Sequence, residues 1–351
     1  MSSYKQHRCL FCIDNKTSMY YILIMTISEL ENTIPVVHMF NNNYVIAAAV
    51  AFFSMLKNAD KKYFYSLYVL HYDITTENQD RLKKQVEIFE NAELNFINVE
   101  DNFKDLFEKT KNQSHFSCEI YLKYLVPILL EQYNKSIVSD VDVIYLGDIS
   151  KSFVDFKTDE NNYLAACKTI GKKHTTKSIY YKFFSKSEIN KLKFAGGYYI
   201  QNLKKMREDN IPDKLIEFTK NNYQRLIQPE QDVINIVCAG KIRTLPVNSL
   251  VCSYAYEMFK EDYNGDSNFS SKEVQFALEN PIQLHYAGKE KPWKVFDVPM
   301  SKQFFYYLSQ TDFFYDVVVN TVKKPDYYKK IFRMHSRKFD KELVLYLQSR
   351  K

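Results

Sequence analysis

The stretch from Ile34 to Val99 constrains the fold most, because short apolar runs of strand length alternate in it with longer helical patterns. "IPVVHMF" (Ile34–Phe40) reads as a buried strand, "NNNY" as a turn, and "VIAAAVAFFSMLKN" (Val45–Asn58) as an apolar helix. "YFYSLYVLH" (Tyr63–His71) is a second strand, and "TTENQDRLKKQVEIF" (Thr75–Phe89) an amphipathic helix with Thr76 and Gln79 at capping-box spacing. "ELNFINV" (Glu93–Val99) is a third strand. Strand and helix in alternation predict an α/β fold, with a mostly parallel sheet covered on both faces.

Beyond this unit a helix is expected around Ile120–Glu131, then a strand through "IVSDVDVIYLGDIS" (Ile137–Ser150) and another at Tyr163–Cys167. "FAGGYYIQNLKKMRED" (Phe194–Asp209) reads as a strand entering a helix, and "QPEQDVINIVCAG" (Gln228–Gly240) as a loop and helix. "KIRTLP" and "PIQLHYAG" are short strands. No internal repeat or Pro/Gly/Ser-rich linker divides the chain. The organisation expected is an N-terminal extension (1–33), one α/β domain (34–300), and a basic, aromatic, helical C-terminal region (301–351).

Charge is unevenly placed. The chain of 351 residues carries a net +6, yet 317–351 alone is at +7 and 171–193 at +6, leaving the rest at −7. Tyr and Phe interleave with the lysines of both basic segments, and in the C-terminal one this suits contact with an anionic membrane surface. An acidic body argues against a nucleic-acid binder, whose charge would extend over a binding face. The six cysteines hold one C-x-x-C pair, Cys9 and Cys12, with no second pair at zinc spacing. They read as reduced thiols of a cytoplasmic protein. "MYYILIMTI" (Met19–Ile27) is too short to cross a bilayer.

Two aspartates interrupt the apolar run at 137–150. On a strand, residues two apart point to one side, so Asp140 and Asp142 would aim together. Two close carboxylates repel, and a divalent cation relieves this; oxygen donors suit Mn²⁺ or Mg²⁺. A solvated turn, or a calcium site in a structural protein, would use the same spacing. "LHYAGKEKPW" (Leu284–Trp293) offers His285 as a metal ligand, Gly288 for close backbone approach, and Lys291 to neutralise a phosphate. "PEQDVIN" (Pro229–Asn235) places Glu230, Gln231 and Asp232 at a helix start, where capping is the plain alternative to chemistry.

Taken in order, "HMFNNNYVIAAAVAFFSML", "SDVDVIYLGDIS", "FAGGYYIQNLKKMRED", "PEQDVIN" and "HYAGKEKPW" resemble the retaining GT-A glycosyltransferases of family 8, most closely the bacterial lipopolysaccharide galactosyl- and glucosyltransferases. The resemblance spans about 34–298. It implies a UDP-sugar donor, a glycan or glycolipid acceptor, and Mn²⁺ held by Asp140, Asp142 and His285. Gly288 and Lys291 would meet the β-phosphate, and Asn43 and Tyr44 the uracil and ribose. Asn41, Lys123, Val141, Ala195, Gly196 and Glu230 complete the donor side. Gln231 would sit beneath the anomeric carbon and Asp232 beside the sugar. The C-terminal region would contact the inner face of the cytoplasmic membrane. Several positions depart from the family's usual residues: Asn41 and Asn42 stand for aspartates, Lys123 for Arg, Ala195 for Asn and Glu230 for Asp. These departures leave UDP-N-acetylglucosamine open as an alternative donor.

Overall fold

The computed structural model describes residues 32–99, 117–170, 179–259, 268–295 and 297–322. The C-x-x-C pair, the apolar run at 19–27 and most of the basic tail lie outside the described residues.

Among the described residues, ten strands form two sheets: β1 (Thr33–Met39), β2 (Phe64–His71), β3 (Ala92–Asn98), β4 (Ser136–Ser139), β5 (Val143–Tyr145), β6 (Leu164–Lys168), β7 (Phe194–Gln201), β8 (Ile242–Thr244), β9 (Val251–Cys252) and β10 (Gln283–His285). The longer helices are α1 (Val45–Asn58), α2 (Thr76–Val86), α3 (Leu203–Glu208), α4 (Ile211–Asn222), α5 (Pro229–Val237), α6 (Ser271–Glu279), α7 (Ser301–Leu308) and α8 (Phe314–Val322). The seven-stranded sheet runs β3-β2-β1-β4-β7-β6-β8, and the smaller one β5-β10-β9. In the large sheet only β7 opposes its neighbours, β4 and β6; the other pairs are parallel.

The expected α/β architecture is therefore present. Every residue of β1 is buried, with Ile34 and Val36 in one core and Val37 and Met39 in the other. A strand buried on both faces needs helices on both sides. On one side α1 buries eleven of its residues, Phe52 and Met55 among them. Each fully buried side chain of this size contributes about 1.5–3 kcal/mol. This first core continues past residue 300 through Phe304, Tyr307, Leu308, Phe313 and Val317, so α7 and the start of α8 pack on the sheet domain.

Three local expectations are corrected. The helix expected over 120–131 is a 3-10 turn (Cys118–Tyr124) followed by a short α-helix (Val126–Leu129). Pro127 supplies no N–H to the turn before it and fits the first turn of the second piece. In α2 the cap is Thr75, whose hydroxyl accepts from Asn78 N–H; Gln79 instead donates to the Ile74 carbonyl at 2.9 Å. The strand expected through 137–150 is broken, because β4 ends at Ser139 and β5 begins at Val143 in the other sheet.

Candidate active site

That break holds the two aspartates. Asp140, Val141 and Asp142 carry the chain from the large sheet to the small one. Val141 is buried in the first core between the two carboxylates, so the turn is anchored by packing. Asp140 N–H donates to the Gly197 carbonyl at 2.9 Å, which continues the β4–β7 ladder by one rung. Asp142 is held to β10, its carbonyl accepting from Tyr286 N–H at 2.8 Å. Beneath the turn, the Ser139 hydroxyl accepts from Tyr145 and Gln283, each at 2.8 Å, and so ties β4, β5 and β10 together. The buried His38 donates from Nδ1 to the Ser139 carbonyl at 2.9 Å.

Although not on one strand, the carboxylates do converge. His285 Nε2 lies 3.2 Å from an Asp142 oxygen and 3.7 Å from an Asp140 oxygen. Ligand atoms of Asp140, Asp142 and His285 all lie within 4.8 Å of one another. Two carboxylates and one imidazole at this separation could hold a divalent cation.

Each carboxylate also has its own lysine. Lys291 Nζ bonds Asp142 and donates to the Tyr286 carbonyl at 2.7 Å. Lys123 Nζ lies 2.9 Å from Asp140, from Glu230 and from the Gly196 carbonyl. Burial acts against the charged Lys123, but the two carboxylates outweigh it and raise its pKa. Burial would also push the Asp142 carboxyl up, yet His285 and Lys291 hold it well below the usual range. Burial favours neutral His285, and Asp142 overrides it to raise the imidazole.

Several residues expected on the donor side lie close to this cluster, Gly196 and Glu230 through Lys123 and Tyr44 through its electrostatic contact with Asp142. Gly196 N–H donates to Gln231 Oε1 at 2.8 Å, placing the start of α5 against the start of β7. Asn235 strengthens the joint: its Oδ1 accepts from Lys193 and Phe194 N–H, and its Nδ2 donates to the Phe194 and Gln231 carbonyls. Ala195 is half-buried next to Gly196. Asn41 caps the turn ahead of α1, accepting from Asn43 N–H. Asn43 is exposed, and Tyr44 stands edge-on to Trp293 with ring centroids 5.7 Å apart. Burial, then Asp142 and Asp140, push the Tyr44 hydroxyl up to about 12. Gly288 takes φ +99° in the exposed loop after β10, where a side chain would be strained.

Asp232 differs from its neighbours. Its carboxyl is fully enclosed, and Oδ2 accepts from Ile227 and Gln228 N–H at 2.8 Å each, closing the turn that starts α5. Oδ1 is buried with no hydrogen-bond partner, and burial raises the pKa to about 7. In this geometry Asp232 shapes the turn carrying Glu230 and Gln231.

Three contributors had little sequence signal. Gly197 adjoins His285 and Asp140, and its only mark is a Gly-Gly pair in a chain with 7 glycines. Cys252 pairs with His285 across β9 and β10 and lies beside its ring. Asn235 is one more polar residue on a helix.

The family profile described as "Glycosyl transferase family 8" matches residues 35–296. General stress protein A of Bacillus subtilis is 25% identical over 291 residues, covering 81% of this chain and 94% of that protein. A putative glycosyltransferase of Haemophilus influenzae is 24% identical, covering 75% and 74%. Among solved structures, the bifunctional glycosyltransferase WbbM superposes with a TM-score of 0.68 at 22% identity, over 84% of this chain and 52% of that one. The galactosyltransferase LgtC, solved with donor and acceptor sugar analogs, gives a TM-score of 0.62 at 17% identity over 80% and 96%. The fold is thus that of the GT-A glycosyltransferases, and the chain is a glycosyltransferase that belongs to family 8.

Proposed function

We propose that this glycosyltransferase is a retaining, Mn²⁺-dependent hexosyltransferase. It would move a hexose from UDP-galactose or UDP-glucose to a hydroxyl of a surface glycan such as the lipopolysaccharide core. The observation that carries the reading is the convergence of Asp140, Asp142, His285 and Lys291 beside Glu230 and Gln231.

Two carboxylates and an imidazole fit a hard divalent cation, Mn²⁺ first and Mg²⁺ second. When bound, the cation supplies positive charge against the donor's diphosphate. Lys291 adds a second positive charge beside it and stabilises departing UDP. Tyr44 and Asn43 border the base and ribose, while Gly288 lets backbone approach a phosphate. An amide is a poor nucleophile, so Gln231 is not expected to form a covalent glycosyl-enzyme. Its carbonyl oxygen, held by Gly196 N–H, faces the anomeric carbon as positive charge develops there. The bond from that carbon to the phosphate oxygen breaks and one to the acceptor oxygen forms on the same face. The acceptor's proton passes to the released phosphate oxygen.

Among the described residues no helix is long and apolar enough to cross a membrane. The protein would work at the inner face of the cytoplasmic membrane, with its basic C-terminal region on anionic lipid. UDP-N-acetylglucosamine is the second donor reading. It is favoured by Ala195, whose methyl group offers no hydrogen bond to a sugar hydroxyl.

Hydrolysis of a panel of UDP-sugars with Mn²⁺, with and without EDTA, tests the proposal. One sugar should release UDP only with metal, and Asp142→Asn should abolish both release and metal-dependent UDP binding. Unchanged activity in that variant would remove the metal role.

A further inference from the structure

Among the described residues, large apolar side chains are elsewhere exposed singly or in pairs, but three fall within five residues between β6 and β7. Ile179 is 48% exposed, Tyr181 51% and Phe183 44%. The residues between and after them do the opposite: Tyr180 and Phe184 are buried, their rings 5.9 Å apart. Anchoring at 180 and 184 forces 179, 181 and 183 outward, so their exposure is built into the local fold. Arg225 fixes the base of the segment, lying 5.0 Å from the Phe184 ring and donating to the Phe183 carbonyl.

The exposed charges of this described segment have one sign. Lys182, Lys186, Lys191 and Lys193 are all exposed. The nearby acid, Glu188, is occupied by Arg225 at 2.8 Å and by the Ser185 capping box. The outward face is therefore apolar at its centre and cationic at its edge. A protein partner is not specifically matched by such a face. An anionic bilayer is, because its headgroups take lysines while its interface takes Tyr, Phe and Ile.

The position gives the patch a purpose. Its segment returns directly into Phe194, Ala195 and Gly196 of β7. Its anchor Tyr180 lies within electrostatic reach of Asp232, in the turn that carries Glu230 and Gln231.

We propose that Ile179, Tyr181 and Phe183, ringed by Lys182 and Lys186, dock on an anionic lipid surface and hold the donor site beside the headgroups. This contact is separate from the one assigned above to the C-terminal region, and it does not depend on which sugar is transferred.

Cosedimentation of the full chain with phosphatidylglycerol vesicles and with phosphatidylcholine vesicles tests the proposal, at low and high salt. Binding is expected to the anionic vesicles only and to weaken with salt. The triple substitution of Ile179, Tyr181 and Phe183 to Ser should lower partitioning about tenfold or more, with UDP binding unchanged as a check on folding. Phe183→Trp adds a local reporter: its emission should shift to the blue on anionic vesicles and be quenched by brominated phosphatidylglycerol. Vesicle binding with the new indole still in water would overturn the proposal and leave the contact to the C-terminal region. Equal binding to both lipids, no binding to either, or concentration-dependent self-association that buries the indole without lipid would also overturn it.

Discussion

A Cβ on Gly197 would lie 2.8 Å from both Cε1 and Nδ1 of the His285 ring, and 3.1 Å from an Asp140 carboxylate oxygen. The glycine is thus the floor on which two of the proposed metal ligands rest. Gly197→Ala should leave the fold intact but displace the imidazole, weakening Mn²⁺ affinity by about tenfold or more, as loss of a ligand's support does. Isothermal titration with Mn²⁺, beside circular dichroism to confirm folding, reads the effect. Wild-type metal affinity in the variant would show that the ring has room to move.

Lys123 is a buried cation shared by Asp140 and Glu230. Lys123→Met keeps the length and removes the charge, leaving the buried Glu230 and the partly buried Asp140 carboxylates without their shared cation. The expected destabilisation is about 3–5 kcal/mol. Adding Glu230→Gln should recover part of it, giving a coupling energy well outside additivity. Urea unfolding of the four members of this cycle measures the coupling. Additive losses would mean that the pair is not coupled.

His285 should couple metal binding to protons. Asp142 raises the imidazole pKa above its ordinary value, so the ring carries a proton at neutral pH. A ligating nitrogen must give that proton up. Mn²⁺ binding should therefore release a proton, and affinity should climb with pH until the raised pKa is passed. Calorimetry in buffers of different ionisation enthalpy tests this, and a binding heat independent of buffer would contradict it.

Asp232 predicts a stability slope of the opposite kind from an ordinary ion-paired carboxylate. Its folded pKa, about 7, lies above its ordinary value of 3.8. Between those values the folded state keeps a proton that the unfolded state has lost. Its favourable contribution is complete below about pH 4, declines as pH rises, and is gone above about pH 7, a change of up to about 4 kcal/mol at 1.36 per unit. Asp232→Asn should flatten this part of the stability profile. If Asp232 acts only through the turn, the variant should also keep its pH–rate profile while kcat falls through misplaced Gln231. A shifted profile would put the carboxyl at the sugar.

What the sequence made legible follows the range of the interactions. The alternation from β1 to β3 was readable because each element's pattern is local, and Val36 and Val37 need only neighbouring periodicity to be assigned to opposite cores. Asp140, Asp142 and His285 were readable as chemistry, since carboxylates in an apolar run need a counter-charge. The strand drawn through them was not correct, because the handover between sheets depends on β7 and β10, far along the chain. Lys123 and Glu230 are 107 positions apart, and their pairing has no local trace. Cys252 reaches His285 through the two-residue strand β9, too short to leave a periodic signal.

The seam between the two sheets sets a timetable for biosynthesis. Asp142 and Lys291 meet across 149 positions, and β10 must be in place before Tyr286 can hold the turn. A nascent chain that has already folded β1 to β4 on the ribosome still has only half a site. On the proposed function it gains the capacity to bind nucleotide sugar late in translation, so premature termination should yield inert fragments that do not sequester or degrade the donor.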